Sequence, residues 1–336
     1  MNKKHWLGVL IVLAISSLVL YFDLRSTPFS ALIKATKNLN CICFILVFIA
    51  MLISYFCEAK ILEVLSRRKN EKQYSKWAFF RIPIIQALFN AITPMSTGGQ
   101  PSQLAAMVQM GMKGGRATSL LLMKFIIYQL VVLIAYLWTI IFGFKLIAAK
   151  FSGVAVVVFL GFMIHIFSIA LLLAAMFAHD WTVKVVNWII DILVRFINKD
   201  TVEKWRKQIL SQVESFYTES QKLKDEKKKL LVVILLTAIQ LLMIYSIPYL
   251  VLLSLGIHTS WLKVTHMAIM IIMFMSVIPI PGASGGAEMT FQILFASFIS
   301  NKAMLVLAMF IWRFATYFFG MILGIFGWMI KPRKKY

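Results

Sequence analysis

The sequence predicts an all-α polytopic membrane protein, with about six full spans plus two broken re-entrant hairpins, arranged as an inverted repeat of span, hairpin and span. Three observations predict it. The 336 residues are 61% hydrophobic and only 14% charged, with a mean hydropathy of +0.84, and no charged stretch is long enough for a folded soluble domain. Apolar runs of spanning length recur between short basic connections. One unusual sequence also occurs twice. Pro94-Met95-Ser96-Thr97-Gly98-Gly99 and Pro281-Gly282-Ala283-Ser284-Gly285-Gly286 lie at an offset of 187 (94 to 281), and each has a small hydroxyl residue before Gly-Gly.

Trp6–Phe22 follows Lys3-Lys4-His5 and is too long for a signal-peptide core, so it reads as an uncleaved first span. Cys41–Phe56 is the second span, with Glu58 and Lys60 at its end, before a basic loop over residues 63–81. Trp77–Ile92 is apolar but carries Gln86 and Asn90 and runs into the first break. Ser102–Met112 follows with eleven residues, where a crossing needs about 20. The pair reads as a re-entrant hairpin. Ala117–Phe142 and Phe151–Ala178 are full spans.

From Trp181 to Ile197 the apolar positions 185, 186, 189, 190, 193, 196 and 197 make one face of a helix lying flat on the membrane surface. A second amphipathic helix follows over 201–224. Leu230–Leu255 is a span, Leu262–Ser300 the second hairpin and Ala303–Ile330 the last span. The chain is thus one integral-membrane domain, residues 1–336: repeat A 41–142, a linking span 151–178, a cytoplasmic linker 181–229 and repeat B 230–330.

The net charge of +22 is placed beside spans, which points to membrane orientation and anionic headgroups rather than nucleic acid. With the N-terminus inside, 25 Lys and Arg fall on the cytoplasmic side and 7 outside. Both termini are therefore expected in the cytoplasm. Cys41, Cys43 and Cys57 have no disulfide or zinc spacing, the five histidines have no metal-ligand spacing, and no cofactor is expected.

The repeat carries the chemistry. Lys124-Phe-x-x-Tyr128 and Arg313-Phe-x-x-Tyr317 stand in matched spans, each downstream of its Gly-Gly. Paired interrupted segments are the sequence pointer to a transporter's site. After each Gly-Gly a short helix starts, with Thr97 and Ser284 as expected caps, and its unpaired N–H groups favour an anion. Lys124 and Arg313 sit about 10 and 15 Å into their spans, where a charge costs about 2.5–3.5 kcal/mol and needs a partner or water. Thr97, Gly98, Gly99, Gln100, Lys124, Tyr128, Ser284, Gly285, Gly286, Glu288, Arg313 and Tyr317 are the candidate headgroup and translocation residues. For Glu288 two readings stand side by side: recognition of an amine-bearing headgroup, or a structural pair with Arg313.

At these residues the chain resembles the membrane domain of the lysylphosphatidylglycerol synthases, the flippase half of a two-part protein. Thr93-Pro94 through Gly98-Gly99-Gln100-Pro101, Pro281 through Gly285-Gly286-Ala287-Glu288, and Arg313-x-x-x-Tyr317 carry the resemblance. It covers essentially the whole chain. It implies a bacterial plasma-membrane protein that moves a lipid such as aminoacyl-phosphatidylglycerol, or another anionic lipid or glycolipid, between leaflets, and with it a part in resistance to cationic peptides. Two departures matter. The chain stops at Tyr336 with no acyltransferase-like domain after the last span, so lysyl transfer by this polypeptide is not expected. Gln100 stands where members of the family often carry an acid, which leaves the headgroup open.

Three functions therefore compete. The first is a lipid translocator acting on membrane phospholipid. The second is an enzyme, or the membrane component of a phosphatidylglycerol lysyltransferase working with a separate synthase. No nucleophile–base pair, nucleotide loop or metal motif supports catalysis in the chain itself. The third is a partner that docks a separate synthase or glycosyltransferase through the 181–229 helices, with homo-oligomerisation open.

Overall fold

The computed structural model describes residues 36, 39–67, 74–148, 160–163, 166–167, 170, 174, 178–193, 199–276, 278 and 280–330. The expected first span, most of the linking span with His165, residues 194–198 and the basic tail lie outside the described residues.

The described residues are helical. Helix α1 (Cys41–Ser66) is capped by Asn40, whose carboxamide oxygen accepts from Ile42 N and Cys43 N. Helices α2 (Lys76–Ile92) and α3 (Gly99–Gln109) flank a 3₁₀ turn at Pro94–Ser96, and α4 (Gly114–Ala148) follows. Helices α5 (His179–Leu193) and α6 (Lys199–Asp225) form the linker, and α7 (Lys227–Ser254) returns to the bundle. Helices α8 (Trp261–Met275) and α9 (Gly286–Phe295) flank a second 3₁₀ turn at Pro281–Ala283. Helix α10 (Lys302–Arg313) passes through a π-helical turn, Phe314–Phe318, into α11 (Phe319–Met329).

Four helical stretches among the described residues are long and apolar enough to cross a membrane: Cys41–Ser66, Gly114–Gly143, Lys227–Ser254 and Lys302–Met329. They coincide with four of the six expected spans; of the other two, the first lies outside the described residues and the linking span is described only in part. The limbs of both hairpins are shorter, from 10 to 17 residues.

Hydrogen bonds between helix ends set the directions. At one end of the bundle, Lys229 Nζ donates to Arg67 O (3.2 Å) and Arg116 Nη2 to Ser66 O (2.6 Å). At the opposite end, Asn40 N donates to Ser254 O (2.8 Å), and His266 hydrogen-bonds Thr139 (3.3 Å). The long helices α1 and α7 therefore run antiparallel and pack closely along each other. Helix α4 starts at the Ser66 end, where α11 finishes, so these two also run in opposite directions. The α2–α3 hairpin enters from the Ser66 end and α8–α9 from the Ser254 end, and their broken tips touch.

One residue sits differently from the sequence reading. Arg81, counted there in the basic loop, lies in α2 and is 1% exposed. Its guanidinium donates to Gly327 O (2.5 Å) and to Gln109 Oε1 (2.9 Å), tying together the outer ends of α2, α3 and α11. A buried guanidinium is tolerable only with such acceptors. The α2–α11 contact itself is close because α11 presents glycine. A Cβ on Gly324 would lie 2.4 Å from Ile84 O, and one on Gly327 would lie 2.7 Å from Ile84 Cδ1.

Candidate functional site

The two breaks share a backbone as well as a sequence. Met95 and Ser96 adopt φ of 52° and 56°, and Gly282 and Ala283 adopt 58° and 51°. Each break then closes with the same hydrogen bonds. Ser96 N donates to Thr93 O and Thr97 N to Pro94 O; Ala283 N donates to Ile280 O and Ser284 N to Pro281 O. Left-handed non-glycine residues cost about 1–2 kcal/mol each, a strain that clusters at functional sites. Glycine is required at 282 and not at 95 for a steric reason: a Cβ there would lie 2.1 Å from the Tyr317 ring, whereas Met95 is exposed.

The expected caps are corrected. Thr97 Oγ1 donates to Pro94 O (2.9 Å) and Ser284 Oγ to Pro281 O (3.1 Å), so both hydroxyls close their own turns. The helix starts are served by other residues. Thr93 Oγ1 accepts from Gly98 N (2.8 Å), and Glu288 Oε2 accepts from Gly285 N (2.7 Å). Capping works there because Thr93 and Glu288 can place an oxygen over an open N–H.

Beside the tips lies a cavity of about 550 Å³, within the range of ligand sites. Gln100, Lys124, Tyr128, Arg313 and Tyr317 line it, together with Glu58, Gln86, Asn90 and Gln240. Thr97, Gly98, Gly99, Ser284, Gly285, Gly286 and Glu288 do not. These seven shape the breaks rather than face the space.

Two buried ion pairs supply the cavity's charge. Arg313 Nε donates to Glu288 Oε1 (2.6 Å), with side chains 4% and 8% exposed. Arg313 Nη2 donates to Gly282 O (2.5 Å), and its guanidinium lies 4.6 Å from the centre of the Tyr317 ring. Tyr317 in turn donates to Ala91 O (3.0 Å) at the end of α2, so the second unit grips the first. The other pair joins Lys124 Nζ to Glu58 Oε1, at 7% and 9% exposure. Gln103 accepts from Lys124 (2.9 Å) and donates to Glu58 (2.8 Å) and Gln86, and Gln240 donates to Glu58 Oε2 (3.1 Å). Every formal charge here has a counter-charge and further hydrogen bonds, the condition for keeping ions out of water.

The Glu58 cluster is what the sequence reading missed. It placed Glu58 past the end of its span, whereas α1 continues to Ser66 and buries the carboxylate. The repeat held the signal. The position matching Glu288 at the 187 offset (288 to 101) is Pro101. Lys124 therefore has no carboxylate in its own hairpin and needs one from another helix.

Among the described residues, no cluster of His, Cys, Asp and Glu could hold a metal. What the arrangement offers is hydrogen-bond donors and matched charge enclosed by apolar helices.

Long apolar helices enclosing two oppositely entering, broken hairpins around a cavity that holds a few charged and amide side chains define a polytopic α-helical membrane protein. The family model described as the lysylphosphatidylglycerol synthase TM region matches residues 6–324, and the chain belongs to that family. It is also 26% identical over 330 residues to a UPF0104 membrane protein of Archaeoglobus fulgidus, covering 94% of each chain.

Proposed function

We propose that this protein translocates a phospholipid between the leaflets of a bacterial plasma membrane, with both termini cytoplasmic. The cargo class is a phosphate-bearing headgroup, in aminoacyl-phosphatidylglycerol or in an anionic lipid or glycolipid. One observation carries the reading: a cavity with two cations and several amides lies where two broken hairpins meet from opposite ends of an apolar bundle. A headgroup phosphate cannot cross hydrocarbon unaided, since burying an unpaired charge costs many kcal/mol. Lys124, Arg313, Asn90 and Gln100 replace water around it, and the acyl chains stay in lipid. Two units running in opposite directions give the cavity access from either leaflet by rocking of one unit against the other.

The test is reconstitution of the purified chain into liposomes holding labelled phosphatidylglycerol, with a quencher that reaches the outer leaflet only. Translocation predicts quenching well beyond the outer-leaflet half, at a rate that rises with protein per vesicle. A component that only serves a separate lysyltransferase would leave quenching at the outer half.

A further inference from the structure

We infer that lipid movement is coupled to protons: when a headgroup phosphate takes Lys124, Glu58 accepts one proton, delivered from the Ser254 end of the bundle along a buried track of hydroxyls. The inference rests on the translocation reading and adds its energy source.

Among the described lining residues of the cavity, Glu58 is the sole acid. Lys124 is its ion-pair partner and also donates to Gln103 (2.9 Å). Gln103 and Gln240 donate to Glu58, and Tyr55 and Tyr128 lie close enough to interact with it electrostatically. These groups face it from α1, α3, α4 and α7, while α2 adds the neutral Gln86 through Gln103. The cavity's other cation, Arg313, is held by Glu288. A phosphate entering beside Lys124 shares that cation with Glu58 and sets a second anion next to the carboxylate. Like charge and weakened pairing both favour the protonated carboxyl. A buried carboxylate that loses its partner neutralises rather than stay charged. Headgroup arrival and proton uptake are therefore linked.

The proton has a route. On α4, Lys124, Tyr128, Tyr136 and Thr139 share one side of the helix. That side runs from the cavity toward the Ser254 end, where His266 Nδ1 lies 3.3 Å from Thr139 Oγ1. Tyr136, Thr139 and His266 are all buried. Tyr128 and Tyr136 stand eight residues apart, about 12 Å along the helix, with Val132 between them. Tyr245 on α7 closes this gap, since it lies close enough to both phenols to interact electrostatically with each. Its hydroxyl is buried with no hydrogen-bond partner among the described residues, as is that of Tyr55 beside Glu58. Buried hydroxyls in that condition call for bridging water. Through hydroxyls and water a proton moves by exchange: each oxygen accepts one and passes on its own, so no phenolate forms. One proton leaves the solution, one O–H bond forms on Glu58, and the bond breaks again when the headgroup departs and Lys124 re-pairs. A monoanionic headgroup and its proton thus travel together with no net charge.

The test uses liposomes holding the reconstituted chain and a trace of labelled phosphatidylglycerol, in a medium about one pH unit more acidic than the lumen. The label is expected to collect in the inner leaflet, toward a roughly tenfold excess, faster than in protein-free vesicles, and to even out when a protonophore is added. Protein-dependent movement that ends in equal leaflets under the gradient overturns the coupling and leaves translocation standing. If no lipid moves, translocation fails, and proton uptake decides the coupling alone. Phosphatidylglycerol added to the detergent-solubilised chain in weak buffer near neutral pH is expected to draw about one proton per lipid bound, and Glu58→Gln to abolish this. No uptake by the parent protein overturns the inference. Tyr245→Phe tests the route, because it removes only an orphaned hydroxyl and a merely structural phenol predicts no change. The variant is expected to keep the uptake in detergent but to accumulate label about tenfold more slowly under the gradient; accumulation at the parental rate overturns the route.

Discussion

Glu288 and Arg313 show how far a single residue's role can be read from type and spacing. Their pairing was legible, because a buried cation 25 positions after a buried acid needs a partner, and the 2.6 Å contact supplies it. Of the two readings, the geometry favours the structural one, since Glu288 holds Arg313 with one oxygen and starts α9 with the other. Glu288→Gln and Arg313→Gln are each expected to destabilise the protein by about 3–5 kcal/mol, with part recovered in the double variant. Thermal unfolding in detergent checks this. A stable Glu288→Gln protein with altered lipid preference would restore the recognition reading. Glu58 was not legible in the same way. Its partner Lys124 lies 66 positions away on another helix, and periodicity within one span says nothing of such a contact. Glu58→Gln is expected to lower stability as well, and Lys124→Gln in the same chain to restore part of the loss. Full additivity of the two would contradict the pair.

At the scale of elements, the repeated Pro-x-x-x-Gly-Gly fixed where the helices break, because proline removes a donor and ends a helix. It also implied the matched turns, whose paired left-handed residues fall at corresponding positions. What it did not carry was capping, since which oxygen reaches a free N–H depends on the path of the turn. The tight α2–α11 contact was equally silent in the sequence. Gly320, Gly324 and Gly327 look like ordinary small residues in an apolar run until α2 is laid against them. Small residues let membrane helices approach in this way. Gly324→Leu is expected to cost about 1–3 kcal/mol through overpacking, seen as a lower unfolding temperature. Gly111→Ala, where a Cβ has open space but φ is +100°, separates crowding from backbone strain. Equal stability of Gly324→Leu and the parent would refute the close contact.

For the whole molecule, composition and charge placement made the class plain, and the antiparallel helix directions follow the expected inversion. Orientation is a prediction of its own. Helices α5 and α6 are held to each other by Arg206, which donates to Asn187 (3.0 Å) and Asp191 (2.6 Å). Trp181, Trp188 and Trp205 remain exposed, as a helix pair resting on a membrane surface requires. A single cysteine placed at Lys207, in a background without the three native ones, should react with membrane-impermeant reagents only after cells are opened. Labelling of intact cells would invert the topology.

The central claim is that the headgroup travels through the cavity between the two breaks. Thr316→Trp tests it most directly, because Thr316 lines that cavity in the π-helical turn between α10 and α11. An indole there fills space that a phosphate would cross, and Thr316→Val serves as the control that removes the hydroxyl without filling the route. In liposomes, the account predicts that a folded Thr316→Trp protein loses nearly all translocation of labelled phosphatidylglycerol while Thr316→Val keeps most of it. A Thr316→Trp protein that moves lipid at the parental rate would contradict it.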